Sequence, residues 1–196
     1  MNRTAHITRK TSETEIDLLL NLDGTGKARV DTGIGFFDHM LNSFAKHGFF
    51  DLELTVKGDL YVDSHHTIED TGIVLGKAIK EALGTKEGIR RYASFAMPMD
   101  ETLVLSAVDL SGRPYLSFDM QFSTPKVGYF DTQMVKEFFY AVSYAGEMNL
   151  HLRTLSGEND HHLIEAAFKA FANALDQASQ AEPRLSGGLL STKGAL

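Results

Sequence analysis

The chain has 196 residues, 43% apolar and 23% charged, the balance of an ordinary soluble globule long enough to bury a core. Its net charge of −7 with no basic tail argues against nucleic acid, and the absence of cysteine leaves His and carboxylate as the metal ligands available. No run approaches the roughly 18 apolar residues of a membrane span, and Met1-Asn2-Arg3-Thr4-Ala5 lacks an apolar export signal, so a cytoplasmic protein without a membrane partner is expected.

Taken in order, Thr4 to Arg9 and Glu15 to Leu22 read as strands, closed by the turn Leu22-Asp23-Gly24-Thr25-Gly26, with a short third strand from Ala28 to Asp31. Phe36 to Lys46 reads as a helix with Phe37, Met40, Leu41 and Phe44 inward and Gly48 as its stop. Asp51 to Lys57 alternates Leu52, Leu54 and Val56, a half-buried strand. A second helix runs from about His65 to Leu83 and ends at Gly84.

The pattern then restarts. Glu13-Thr14 is matched by Glu101-Thr102, and Leu22-Asp23-Gly24 by Leu110-Ser111-Gly112, both 88 positions later. The segment Tyr115 to Val127 lengthens the second copy, after which the offset is 98: His39 falls on Glu137, Gly48 on Gly146, and Leu52 and Leu54 on Leu150 and Leu152. The sequence therefore reads as an internal duplication of about 90 residues. Residues 1–86 are the first half and 87–183 the second, with 184–196 a Gly- and Ser-rich tail, mobile or able to act as a flap. Each half places two helices on one face of a mainly antiparallel sheet, which makes the fold class α+β.

Two copies of one pentad give the duplication its chemistry. His65-His66-Thr67-Ile68-Glu69 and His161-His162-Leu163-Ile164-Glu165 both read H-H-x-x-E at the start of a helical stripe, 96 positions apart. Residues four apart on a helix lie about 5–6 Å apart, so His65 with Glu69, and His161 with Glu165, can each grip one ion. The middle histidines, His66 and His162, point about 100° away and can reach a second. One such pentad could be a helix cap; two in register favour metal. Together with the equivalence of His39 and Glu137, they give a ligand pool of His39, His65, His66, Glu69, Glu137, His161, His162 and Glu165. Eight ligands suit two ions that keep positions open for water or substrate. His6, His47 and His151 have no partner motif and are read as structural.

Four stretches carry a family likeness: Phe37-Asp38-His39-Met40-Leu41; Asp63-Ser64-His65-His66-Thr67-Ile68-Glu69-Asp70; Leu110-Ser111-Gly112-Arg113-Pro114; and His161-His162-Leu163-Ile164-Glu165-Ala166 with Phe168-Lys169-Ala170. With them the chain, from about Arg3 to Lys193, resembles imidazoleglycerol-phosphate dehydratase. The resemblance implies a duplicated fold like ribosomal protein S5 domain 2. It implies a manganese-dependent lyase of histidine biosynthesis, with two Mn²⁺ per site, that converts imidazole glycerol phosphate to imidazole acetol phosphate. It also implies homo-oligomers, trimers building a 24-mer with sites between subunits.

By the same resemblance, His39, His65, His66, Glu69, His161, His162 and Glu165 are the metal ligands, with Glu137 a carboxylate where many members carry His; Glu13 is the catalytic carboxylate, and Arg91, Arg113, Lys169, Ser191 and Lys193 bind the substrate phosphate. In an acidic chain such donors are what a phosphate needs. The expected chemistry binds the substrate ring as an imidazolate across two cations, which lets the ring expel the C3 hydroxyl, while Glu13 moves protons. A dinuclear hydrolase and a metal-storing shell protein are the alternatives.

Overall fold

The computed structural model describes residues 3–196. In the first half β1 (Thr4–Lys10), β2 (Thr14–Asn21), β3 (Ala28–Asp31) and β4 (Asp51–Gly58) form one sheet in the order β1-β2-β4-β3, with α1 (Gly35–His47) and α2 (His65–Leu83). In the second, β5 (Tyr92–Met99), β6 (Thr102–Asp109), β7 (Tyr115–Asp119) and β10 (Asn149–Ser156) repeat that order as β5-β6-β10-β7, with α3 (Met134–Ala145) and α4 (Asp160–Ser179). Each sheet is antiparallel except for one parallel pair, β3 with β4 and β7 with β10. The fold is thus α+β and internally duplicated, and the expected elements appear with their ends moved by a residue or two. The longer stretch in the second half ends in a two-stranded ribbon, β8 (Lys126–Val127) with β9 (Phe130–Asp131).

Alternation explains why each sheet buries one face. Cross-strand neighbours Ile16 with Val56, Leu18 with Leu54 and Leu20 with Leu52 are all buried, while Glu15 and Asp17 between them face out. The helices cover that face: α2 lies on β1 and β2, α4 on β5 and β6. The two helical layers then meet, α2 against α3 and α1 against α4, so helices fill the middle and sheets the outside. Phe44 of α1 stacks on Phe171 of α4, and Phe37 of α1 meets Phe138 of α3 edge-on at 5.3 Å, which joins the two halves in one core. A fully buried side chain of this size contributes about 1.5–3 kcal/mol.

The α2–α3 contact is a seam of small residues. A Cβ on Gly76 would sit 2.6 Å from the Val142 carbonyl oxygen, and one on Gly72 2.8 Å from that of Phe138. The tail lies along the start of the second half: Gly88 N–H donates to the Gly188 carbonyl at 2.9 Å, and Pro183–Leu185 forms one 3₁₀ turn.

Candidate metal centre

Both pentads open their helices by the same local device. Asp63 Oδ1 accepts from the His65 amide at 2.7 Å, and Asn159 Oδ1 from the His161 amide at 2.9 Å, so the duplication extends to the side chain two residues before each pentad, which is the N-cap in α4 and precedes the N-cap Ser64 in α2. At α1, Thr32 N–H and Oγ1–H both donate to Asp38, fixing the turn that presents His39. Phe36 lies edge-on to the His161 ring at 5.0 Å and to His39 at 6.4 Å, a wedge that orients both.

His39, His161 and Glu165 converge, each offering a ligand atom within 4.8 Å of the others. His39 Nε2 is 3.3 Å and His161 Nε2 3.2 Å from Glu165 Oε2. Donors about 2.1 Å from a common ion at tetrahedral or octahedral angles lie about 3.0–3.5 Å apart, so the spacing fits a divalent cation. The histidines are half-exposed while Glu165 is buried, which leaves the solvent side open for further ligands. Burial alone would raise the Glu165 carboxyl, but Lys169 Nζ at 2.6 Å from Oε1 and His39 outweigh it and hold it below the usual range. It is therefore an anion ready to accept a cation.

The other expected ligands are grouped differently. His65 Nε2 is 3.7 Å from Glu69 Oε2, a pair with no third ligand close enough to complete a cluster among the described residues. Glu137, half-buried on α3, joins no such cluster either. The trio takes His39 from the first half and His161 and Glu165 from the second. Its mirror image under the duplication would take Glu137 with His65 and Glu69.

The middle histidines turn away from these groups. His66 Nδ1 is 3.0 Å from Asp59 Oδ2, and its Nε2 is 3.7 Å from Glu13 Oε1. His162 Nδ1 is 2.9 Å from Glu101 Oε2, and its Nε2 is 4.0 Å from Asp100. The Asp59 hydrogen bond raises the His66 pKa, and the His162 hydrogen bond lowers that of Glu101 to about 2. Arg9 and Thr14 Oγ1 both bond to Asp70, the residue after Glu69, and so tie the start of α2 to the strand ends beside Glu13. Asp59 carries no signal in the sequence, which offers Phe36 only as a helix start and Asp70 only as the end of a motif stretch. Glu101 appeared there only as the match of Glu13.

The expected phosphate ligands are split between two places. Lys169 stands beside the trio, one ammonium contact given to Glu165. Arg91 lies at the far end of α4, its amide donating to the Ala178 carbonyl at 2.8 Å, and its guanidinium is held by Asp109 at 2.7 and 3.1 Å and by the Leu190 carbonyl. Arg113 is exposed nearby, its carbonyl bonded to Asn149. Ser191 Oγ–H donates to the Ala195 carbonyl and accepts from the amide of Lys193, whose side chain is exposed. Two rulers give the separation. From His161 to Ala178 is about 25 Å of helix at 1.5 Å per residue. From Glu101, which holds His162, to Asp109, which holds Arg91, is about 26 Å of strand. Among the described residues no helix is long and apolar enough to cross a membrane.

Known proteins match this chain along its length. Residues 32–175 match the family model described as imidazoleglycerol-phosphate dehydratase. Proteins of that name from Lachnoclostridium phytofermentans and Acetivibrio thermocellus are 67% and 57% identical over 196 residues, the whole of this chain and of theirs. The crystal structure of the Staphylococcus aureus imidazoleglycerol-phosphate dehydratase superposes with a TM-score of 0.83 at 40% identity, covering 91% of this chain and 99% of that one. The Pyrococcus furiosus structure gives 0.83 at 37% identity, covering 97% of this chain and all of that one. The chain belongs to the imidazoleglycerol-phosphate dehydratase family.

Proposed function

We propose that this chain is a manganese-dependent dehydratase of histidine biosynthesis, removing water from imidazole glycerol phosphate to give imidazole acetol phosphate. The observation that carries the reading is the His39–His161–Glu165 trio, spaced for a divalent ion, in a chain that matches its named relatives from end to end. His65, His66, Glu69, Glu137 and His162 are the further ligands for two ions per site. When bound, the ions supply positive charge that stabilises a deprotonated substrate ring, and so make hydroxide loss from the neighbouring carbon feasible.

The chain's own residues do the rest. Glu13 faces the Nε2 side of His66 and is half-exposed, so it can take a proton from the substrate's C2 and return one to the departing hydroxyl. Lys169 neutralises Glu165 and has two further N–H donors for a phosphate oxygen. Arg91, Arg113, Ser191 and Lys193 supply the remaining phosphate donors, with the tail closing over the substrate. A substrate whose ring and phosphate are separated by three carbons spans a fraction of the ~25 Å between the trio and these donors. Each site therefore takes its distal phosphate donors from a chain other than the one that holds its trio, which calls for a homo-oligomer; trimers building a 24-mer are the assembly we propose. The decisive experiment follows imidazole acetol phosphate formation by purified protein. Activity that disappears with chelator and returns with Mn²⁺ is expected; no product under any metal condition refutes the reading.

A further inference from the structure

We propose that Asp59 and Glu101 are positioning residues that fix the middle histidine of each pentad in one tautomer, with the Nε2 lone pair presented outward. The inference rests on the metal reading above and adds two residues that it does not contain.

The geometry is the same in both halves. His66 Nδ1–H donates to Asp59 Oδ2 at 3.0 Å and lies 3.2 Å from Oδ1; His162 Nδ1–H donates to Glu101 Oε2 at 2.9 Å. A carboxylate only accepts hydrogen bonds, so Nδ1 carries the proton and, in the neutral ring, Nε2 keeps its lone pair. A carboxylate on the far nitrogen of a ligating imidazole also fixes the ring's orientation and raises its basicity.

The two carboxylates are not counterparts under the duplication. Glu101 matches Glu13, 88 positions earlier, yet Glu13 stands on the opposite, Nε2, side of its histidine at 3.7 Å. The first half instead takes Asp59 from the loop after β4, whose amide bonds to the Glu13 carbonyl at 3.1 Å. In the second half a two-residue hairpin turn, with Asp100 at φ +51, carries Glu101 to the Nδ1 side. Glu101 Oε1 is held there by the Asn159 and Glu158 amides at 3.1 and 3.4 Å and by Thr102 Oγ1 at 3.0 Å. A carboxylate that only tied down its loop would have no reason to meet the histidine. Two unrelated carboxylates have arrived at the same ring nitrogen within 0.1 Å of the same distance, and this convergence points to a shared demand on His66 and His162. It also explains why Glu13 is left loose: Asp59 has taken over the task that Glu101 performs in the other half.

The test measures Mn²⁺ binding directly, by electron paramagnetic resonance of the free ion, with no activity readout. Asp59→Ala and Glu101→Ala should each weaken binding about 10–100-fold. Glu101→Gln, which keeps an acceptor for Nδ1–H, should fall between wild type and Glu101→Ala. Adding Glu101→Ala to His162→Ala, or Asp59→Ala to His66→Ala, should cost nothing further, because the effect passes through the ring. Unchanged affinity in both Ala variants, or losses that add to those of the histidine variants, overturns the proposal. ¹⁵N spectra of histidine-labelled, chelator-treated protein report the tautomer separately. Nδ1–H at His66 and His162, lost at His162 in Glu101→Ala, supports the assignment, and Nε2–H in the wild type overturns it. Wild-type protein that binds no divalent ion yet shows both Nδ1–H tautomers would overturn the metal reading while upholding the tautomer assignment.

Discussion

Two inactive variants should restore each other. His161→Ala with Glu165→Ala removes two of the three trio ligands, and Arg113→Ala with Lys193→Ala removes two phosphate donors at the other end of α4. A hydrogen bond to a charged group contributes about 1.5–3 kcal/mol, so losing two donors costs about 3–6 kcal/mol, roughly 10²–10⁴-fold at 1.4 kcal/mol per decade. Each parent alone should then show at most about 1% of wild-type turnover. If one site combines the trio of one chain with the donors of its neighbour, random 1:1 assembly leaves both parts intact in about a quarter of sites. Co-expression of the two variants under different tags, with tandem purification of mixed assemblies, should therefore give about 25% of wild-type product formation per site. A mixed assembly no more active than its parents would refute the two-ruler argument and return the site to a single chain.

Three further outcomes follow from particular residues. Glu13→Gln should retain Mn²⁺ binding and lower turnover at least about 10²-fold, the lower end for general acid–base help; equal turnover in a steady-state assay removes Glu13 from the proton transfers. Gly76→Ala should destabilise: the helix-propensity gain of about 0.5–1 kcal/mol is outweighed by a Cβ placed against the Val142 carbonyl and Gly146 amide of α3, at a cost of about 1–3 kcal/mol. Urea denaturation would show this, and a raised midpoint would contradict the close α2–α3 seam. Asp176→Asn should raise Tm at neutral pH. Burial lifts the Asp176 carboxyl above its ordinary value, so the folded state binds the proton more tightly and wild-type stability from this group is lost as pH rises through the folded pKa. The variant's advantage should shrink as pH falls below that range, and thermal melts across pH 4–8 would test it.

Much of this architecture can be read in one dimension because its signals are periodic. The stripe behind each pentad, Ile68, Gly72, Leu75, Ile79 and Ala82 in one copy and Ile164, Phe168, Phe171, Leu175 and Ala178 in the other, requires a helix with one buried face, and the offsets of 88, 98 and 96 already pair His39 with Glu137 and each strand with its counterpart. That the trio would draw His39 from the first half and His161 and Glu165 from the second follows from packing instead. α1 sits against α4, and Phe44 on Phe171 brings His39 to His161 across some 120 residues of chain. Asp59 gave no signal, being a single carboxylate in a loop with no counterpart in the other half. The family resemblance names Arg91 and Arg113 as expected phosphate ligands but carries no distance, so the ~25 Å that separates them from the trio emerges only when α4 and β6 are laid side by side.

The unequal carboxylates trace to the duplication. Duplication produced two helix starts with the same ligands, and two equivalent starts alone would hold two ions in equivalent surroundings. A lyase that must give and take protons on one side of its substrate needs the two sides to differ. The halves keep their sheets and pentads alike, and diverge where protons would move: Glu101 is bound through both oxygens, while its counterpart Glu13 is half-exposed beside His66. With Asp59 taking the Nδ1 position in the first half, Glu13 keeps a half-exposed carboxylate, which the proposed mechanism uses on the substrate. In the proposed mechanism the asymmetry needed for proton transfer thus comes from changing the carboxylate neighbours of the two histidines, with the paired-histidine motif itself unchanged.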